Sequence, residues 1–89
     1  MSNLKNMRVV ITGASSGFGS VAAKLLVGQG CKVTLGARRK DRLKELVTEL
    51  GDSSTYEVTD VKKKDDLDKL VQKSIDTFDG VDAIINNAG

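Results

Sequence analysis

Hydrophobic residues along this chain follow two different spacings, which predict strands and helices in alternation. Short apolar runs predict four strands, at residues 7–12, 32–37, 54–59 and 81–86. Between them, apolar residues recur at helical spacing and predict three amphipathic helices, at residues 18–29, 40–50 and 65–78. Each helix is followed by a glycine typical of a helix end, at Gly30, Gly51 and Gly80.

The resulting order of elements, β-α-β-α-β-α-β, predicts an α/β fold in which helices cross over between parallel strands. Such crossovers are right-handed in nearly all known proteins. We therefore expect a doubly wound parallel sheet of four strands in the order 3-2-1-4, with helices on both faces. The first two helices should cover one face and the third helix the other. No proline or low-complexity tract marks a linker, so residues 1–89 are expected to form part of one domain.

Composition narrows the classes of function without changing this picture. A net charge of +2 over 89 residues is too small to indicate a nucleic acid or an anionic membrane as a partner. No apolar stretch approaches the roughly 20 residues of a membrane span, and the polar N-terminus lacks a signal-peptide core, so we expect a cytoplasmic protein. One cysteine and no histidine predict neither a disulfide nor a typical zinc site.

The turn between the first strand and the first helix is the strongest candidate for chemistry. It carries Gly13, Gly17 and Gly19, a spacing that gains meaning from its place between a strand and a helix. We expect Gly13 to permit the tight turn, Gly17 to let a pyrophosphate approach the backbone, and Gly19 to allow close helix-to-sheet packing. Helix-start N–H groups would receive the phosphates, and Ser15 and Ser16 could add hydroxyl donors. The alternative is a glycine turn without a ligand.

The end of the second strand indicates which dinucleotide would bind. An acidic residue there would accept hydrogen bonds from ribose hydroxyls, but this strand is followed by Arg38 and Arg39. A guanidinium pairs with a 2′-phosphate, which an acid would repel. We therefore predict NADP(H) rather than NAD(H), with Arg38 as the main determinant and Arg39 assisting. The alternative is a solvated basic start to the second helix.

Polar residues also lie at the ends of the third and fourth strands, where open α/β sheets bind ligands. Asp60, with Val61 beside it, could accept a hydrogen bond from an adenine amino group, or Asp60 could cap the next helix. Asn86 and Asn87 could tie neighbouring strands together, or could simply form a turn.

At these separations, the three motifs together resemble the classical short-chain dehydrogenase/reductase family. The motifs are the glycine turn at residues 12–19, Asp60-Val61, and the Asn-Asn-Ala-Gly run at residues 86–89. The resemblance runs from about Lys5 to the last residue. It implies a partial Rossmann fold, in which residues 1–89 are the N-terminal part of a dinucleotide-binding domain without a separate substrate domain.

The resemblance also implies roles for individual residues. Asp60 would contact adenine with Val61 beside it, and the run that ends the chain would line the ribose region. The cofactor-binding residues implied in that run are Asn87, Ala88 and Gly89. Phe18, at the start of the first helix, would stand where the family usually has isoleucine or leucine.

The family implies an NADP(H)-dependent oxidoreductase that acts on a carbonyl or alcohol and forms homo-oligomers. Its members carry a serine and a Tyr-x-x-x-Lys set beyond the Asn-Asn-Ala-Gly run. The single tyrosine here, Tyr56, lies in a predicted strand with no lysine at the required offset. We therefore expect these 89 residues to bind the cofactor but to be inactive alone, with small-molecule substrates taken only by a longer parent protein. The alternative is a stand-alone nucleotide-binding module without catalysis.

Overall fold

The computed structural model describes residues 5–87, which form the predicted alternation of strands and helices. The strands are β1 (Arg8–Thr12), β2 (Lys32–Ala37), β3 (Ser54–Val58) and β4 (Ala83–Asn86). The helices are α1 (Gly17–Gly28), α2 (Lys40–Leu50) and α3 (Lys64–Phe78), and a 3-10 turn (Gly51–Ser53) follows α2. Observed and predicted boundaries differ by no more than two residues at any end.

The four strands form one parallel sheet in the order β3-β2-β1-β4, as predicted. Because the strands are parallel, all of them end at the same edge of the sheet, which we call the carboxyl edge. At this edge Thr12 of β1 lies between Gly36 of β2 and Asn86 of β4. The loops that follow β1, β2 and β3 therefore emerge side by side.

One face of the sheet is covered by α1 and α2, and it holds the main hydrophobic core. Alternate residues of β1 and β2 point into this core because side chains alternate across a strand. The buried core residues of the strands are Val9, Ile11, Val33, Leu35 and Ala37. The helices contribute Ala23, Leu43 and Leu46. Cys31 is also fully buried in this cluster, and burial raises the pKa of its thiol.

The opposite face is covered by α3, so the described helices lie on both faces as expected. This helix lies close to β2 because Gly36 has no side chain: a Cβ atom there would lie 2.5 Å from a methyl carbon of Leu70. Leu70 and Ser74 are the fully buried positions of α3. Toward β4 the face is more open, and Ile84 is 56% exposed.

At the amino edge of the sheet, β1 and β4 are joined by a bidentate ion pair. The guanidinium of Arg8 donates to both carboxylate oxygens of Asp82, at 2.8 and 3.0 Å, and the Arg8 backbone N–H donates to the same carboxylate. Another guanidinium nitrogen donates to the carbonyl of Asp79. These hydrogen bonds hold the pKa of Asp82 down at about 2.

Among residues 5–87, no helix has both the length and the apolar character needed to span a membrane.

Candidate functional site

A cleft of about 520 Å³ opens at the carboxyl edge of the sheet. Its walls come from the β1–α1 turn, from the residues after β2, from residues 59–62 after β3, and from the residue after β4. Eight of the predicted site residues line it: Gly13, Ser15, Ser16, Arg38, Arg39, Asp60, Val61 and Asn87. Gly17, Phe18 and Gly19 belong to the adjoining start of α1. Ala88 and Gly89 lie outside the described residues.

The β1–α1 turn begins at Gly13, whose backbone is in the left-handed region with φ of 65°. This conformation is unfavourable for residues with a side chain, which explains glycine at this position. Two backbone hydrogen bonds then shape the turn: Ser16 N–H donates to Gly13 O, and Ala14 N–H donates to Gly36 O of the neighbouring strand. The turn is therefore anchored to the sheet before α1 begins.

Gly17 and Gly19 lie two residues apart but serve different purposes. A Cβ atom on Gly19 would lie 2.5 Å from the carbonyl oxygen of Gly13 and 3.0 Å from the Asn87 side chain. No heavy atom beyond its chain neighbours and its own helix lies within 4 Å of a Cβ placed on Gly17, and its φ is not positive. Packing within the fold thus requires glycine at position 19, whereas the space beside position 17 is open.

Ser16 is the hydrogen-bonding centre of the turn. Its hydroxyl donates to Gly13 O at 2.9 Å and accepts from Gly19 N–H at 3.2 Å, which caps α1. It also accepts from the side-chain amide of Asn87 at 2.9 Å. The Ser16 proton is therefore already in use inside the turn. Ser15 also lines the cleft, and its hydroxyl makes no hydrogen bond to residues 5–87.

The asparagines at the end of β4 tie that strand to β1, which agrees with one of the two sequence interpretations. Thr12 Oγ1 donates to Asn86 Oδ1 at 2.8 Å and accepts from the backbone N–H of Asn87 at 3.1 Å. The Asn87 side chain reaches over to the carbonyl of Gly13 at 3.2 Å. These bonds are neutral, and they fix the end of β4 against the glycine turn.

Two arginines lie at the wall that follows β2. Arg38 and Arg39 are both exposed, and Arg39 precedes α2 without capping it through its side chain. Arg39 approaches Asp41 at 3.7 Å, but both side chains are more than 60% exposed, so this pair is weak. Arg38 makes no ion pair within residues 5–87. Its charge is therefore available at the cleft.

The wall that follows β3 is a tightly bonded loop. Thr59 N–H donates to Ala37 O at 2.7 Å, and Asp60 N–H donates to the carboxylate of Asp66 at 2.9 Å. One carboxylate oxygen of Asp60 accepts from Lys62 N–H at 3.0 Å. The N-cap residue of α3 is Lys63, with no side-chain cap, so Asp60 does not cap this helix.

Lys62 also lines the cleft, and the sequence analysis did not predict it, because Lys62 belongs to a Lys-Lys-Lys-Asp-Asp run whose opposite charges largely offset each other. The available signal for Lys62 was that it lies two residues after Asp60 in the same loop.

This arrangement has the features of a dinucleotide site: a helix N-terminus with open space beside it, a cleft across the sheet edge, and cations at the far wall. The short chain dehydrogenase family model matches residues 7–89. The chain belongs to this family.

Curated relatives and solved structures agree with the match. The chain is 46% identical to an uncharacterised oxidoreductase of Staphylococcus saprophyticus, covering 100% of this chain and 37% of the relative. It is 44% identical to an uncharacterised oxidoreductase of Listeria innocua, and the match covers 97% of this chain and 36% of the relative. This short-chain dehydrogenase chain thus spans less than two-fifths of the length of these relatives.

Among solved structures, a 3-ketoacyl-(acyl-carrier-protein) reductase from Brucella melitensis complexed with NADH superposes with a TM-score of 0.93 at 36% identity, covering 98% of this chain and 36% of that one. A glucose dehydrogenase of Caenorhabditis elegans in its apo form superposes with a TM-score of 0.91 at 28% identity, covering 98% and 39%. The observed architecture is therefore that of the front part of a short-chain dehydrogenase.

Proposed function

We propose that this chain binds NADP(H) as the N-terminal, cofactor-binding part of a short-chain dehydrogenase that interconverts a carbonyl and an alcohol. The observation that carries the proposal is the open space beside Gly17, at the start of a helix and next to a cleft with two exposed arginines. The internal packing of the fold gives no reason for glycine at this position. A ligand that approaches the backbone there would be a reason for glycine.

The pyrophosphate of the cofactor fits the start of α1. The first helical hydrogen bond runs from Ser20 N–H to Ser16 O, and Gly19 N–H is taken by the Ser16 hydroxyl. The N–H groups of Gly17 and Phe18 precede those bonds and have no acceptor within the helix. Together with the partial positive charge of the helix start, they would receive phosphate oxygens. Ser15 offers a hydroxyl at the same wall.

The preference for the 2′-phosphate rests on the end of β2. Arg38 lies at the cleft without an ion-pair partner among the described residues, and no acid occupies the end of this strand. The Brucella reductase was crystallised with NADH, so that neighbour supports a nicotinamide dinucleotide and does not choose between its two forms. The proposal of NADP(H) rather than NAD(H) rests on the positive charge of the wall after β2.

The adenine would lie between the walls after β2 and β3. Asp60 has one carboxylate oxygen bonded to Lys62 N–H, which leaves the other oxygen to accept from an adenine amino group. Val61 lines the same cleft and offers an apolar contact. Asn87 would then lie on the ribose side, held in place by its bonds to Gly13 and Ser16.

When bound, the cofactor would supply or accept the hydride, and these residues would bind and orient the cofactor. The acid–base set that the family places later in its sequence, Tyr-x-x-x-Lys, does not occur in the 89 residues. Tyr56 is part of β3 and packs against the hydrophobic core. We therefore propose that the 89-residue segment alone does not reduce carbonyl compounds, a statement that NADPH consumption by the purified segment would contradict.

Titration of the intact protein with NADPH and NADH, followed by cofactor fluorescence or calorimetry, tests the proposed cofactor. The expected result is binding of both cofactors with a clear preference for NADPH, and loss of that preference in Arg38→Gln. Equal affinities in the unmodified protein would refute the NADP(H) assignment, and no binding of either would refute the cofactor site.

We also propose that the protein forms homo-oligomers. Ile84 of β4 and the α1 residues Phe18, Val21 and Leu25 are exposed apolar side chains, which favour association. Analytical ultracentrifugation of the intact protein should show a dimer or tetramer, and a monomer at micromolar concentration would contradict this expectation.

A further inference from the structure

We propose that Lys62 is a further determinant of cofactor specificity, whose ammonium group strengthens the attraction of the cleft for the 2′-phosphate of NADP(H). This inference rests on the proposed cofactor preference and extends it to a second wall. Arg38 and Arg39 follow β2, whereas Lys62 follows β3, and all three line one cleft.

The hydrogen bonds of its loop hold the backbone of Lys62 at the cleft. Its N–H donates to Asp60 Oδ1 at 3.0 Å, and the next N–H, of Lys63, donates to Asp60 O at 2.9 Å. Asp60 is itself tied to α3 through the carboxylate of Asp66. The neighbouring strand also takes part, since Thr59 N–H donates to Ala37 O immediately before Arg38. The two cationic walls are thus linked by backbone hydrogen bonds.

The balance of charge in the cleft explains why a third cation would be useful. Asp60 brings a carboxylate into the cleft that is to hold several phosphates, and it would repel the 2′-phosphate. Arg39 is partly offset by Asp41 at 3.7 Å. Lys62 forms no ion pair within residues 5–87, so its charge is available to a ligand in the cleft and adds to that of the arginines.

The comparison of Lys62→Gln with Lys64→Gln tests this role, because the second variant removes the same charge from a position outside the cleft. Dissociation constants for NADP+ and NAD+ are measured by calorimetry on the intact protein at low ionic strength. We expect Lys62→Gln to weaken NADP+ binding about two- to fivefold while NAD+ binding stays unchanged, the range expected of an exposed charge pair. Lys64→Gln should preserve the ratio of the two affinities.

Two further measurements sharpen the result. Lys62→Arg should restore the preference, since only the charge is required, and the effect of Lys62→Gln should shrink at high salt. The minimal probes 2′,5′-ADP and 5′-AMP carry the adenosine ends of NADP+ and NAD+, respectively. Lys62→Gln should therefore weaken the binding of 2′,5′-ADP and leave the binding of 5′-AMP unchanged. Melting curves of both glutamine variants should match the unmodified protein.

The possible failures can be told apart. Equal binding of NADP+ and NAD+ by the unmodified protein would refute the proposed cofactor preference itself. A clear preference that is the same in the unmodified protein, Lys62→Gln and Lys64→Gln would refute only the role of Lys62. An equal loss in both variants would assign the effect to net charge rather than to this position, and would also overturn the inference.

Discussion

Strands β1 and β4 are joined at both edges of the sheet, but by opposite chemistry. At the amino edge the link is a charged pair, Arg8 with Asp82. At the carboxyl edge the links are neutral hydrogen bonds that join Thr12 to Asn86 and Asn87 to the glycine turn. Both edges hold the same two strands together, so the difference reflects what else each edge must do.

The carboxyl edge faces a cleft that is proposed to hold phosphates, and the amino edge does not. A structural carboxylate close to the phosphates would repel them, whereas neutral amide and hydroxyl groups do not. The neutral links therefore allow the exposed cations of the cleft to remain available for a ligand. Where β4 meets the glycine turn, neutral groups therefore hold the structure together, and the exposed cations lie at the other walls of the cleft.

The largest expected effect is on the free energy of unfolding, and it distinguishes Gly19 from Gly17 in the glycine turn. Gly19→Ala would place a Cβ atom 2.5 Å from the Gly13 carbonyl, so the helix must shift. We expect a loss of about 1–3 kcal/mol in the free energy of unfolding, the usual cost of overpacking. Urea denaturation measures it.

Gly17→Ala is the matched control, because its Cβ meets open space. It should keep full stability and lose cofactor affinity. Equal destabilisation by both substitutions would break the distinction between the two positions.

The next effect is on binding alone. Arg38→Gln should lower NADPH affinity by about ten- to a hundredfold, because a hydrogen bond to a charged group contributes about 1.5–3 kcal/mol. NADH affinity and melting temperature should remain unchanged, since Arg38 makes no ion pair with any other residue of the described range 5–87. A lowered melting temperature would show that the exposed cation also helps to hold the structure together, contrary to this expectation.

Loss of the neutral link should be smaller. Asn87→Ala removes the bonds from its amide to Gly13 O and Ser16 Oγ, and we expect a loss of about 1–2 kcal/mol in the free energy of unfolding. This loss should be the same at pH 7 and pH 4, because no titrating group takes part. Denaturation at the two pH values checks it, and a strong pH dependence would contradict the neutral character of this edge.

The smallest effect is at the amino edge, where the pair is partly exposed. The pKa of Asp82 is lowered from 3.8 to about 2, so its carboxylate stabilises the fold above pH 3.8, and this stabilisation is lost as the pH falls through about 2. The unmodified protein should therefore be more stable than Asp82→Asn at pH 7, and the two should converge in acid. Parallel melting curves at pH 7 and pH 2.5 test this. A constant difference would show that the hydrogen bonds matter and the charge does not.

Sequence patterns predicted the order and type of every described strand and α-helix, because apolar residues recur at helical spacing in the helices and form short runs or alternate in the strands. The glycine turn, the arginines after β2 and the asparagines at the end of β4 were also recognised, since each motif is local and lies at a strand end. The backbone after α3 was predicted only in part. Asp79 takes the left-handed conformation, with φ of 69°, and the predicted Gly80 that follows it also has a positive φ, of 156°.

The reason for that difference is tertiary. The carbonyl of Asp79 accepts a hydrogen bond from Arg8, and the carbonyl of Gly80 accepts one from Ser74. A Cβ atom on Gly80 would lie 2.9 Å from Nη1 of the Arg8 guanidinium. Arg8, which is far away in the sequence, thus contacts both positive-φ residues and leaves no room for a side chain at Gly80.

By itself, the sequence determined the alternating α/β order, the place of the glycine turn and the sign of charge after β2, because these depend on spacing along the chain. Only the tertiary structure decided which glycine is needed for packing, where the proton of Ser16 goes, and that Lys62 shares a cleft with Arg38. Those properties depend on contacts between segments that meet only when parallel strands bring their ends to one edge.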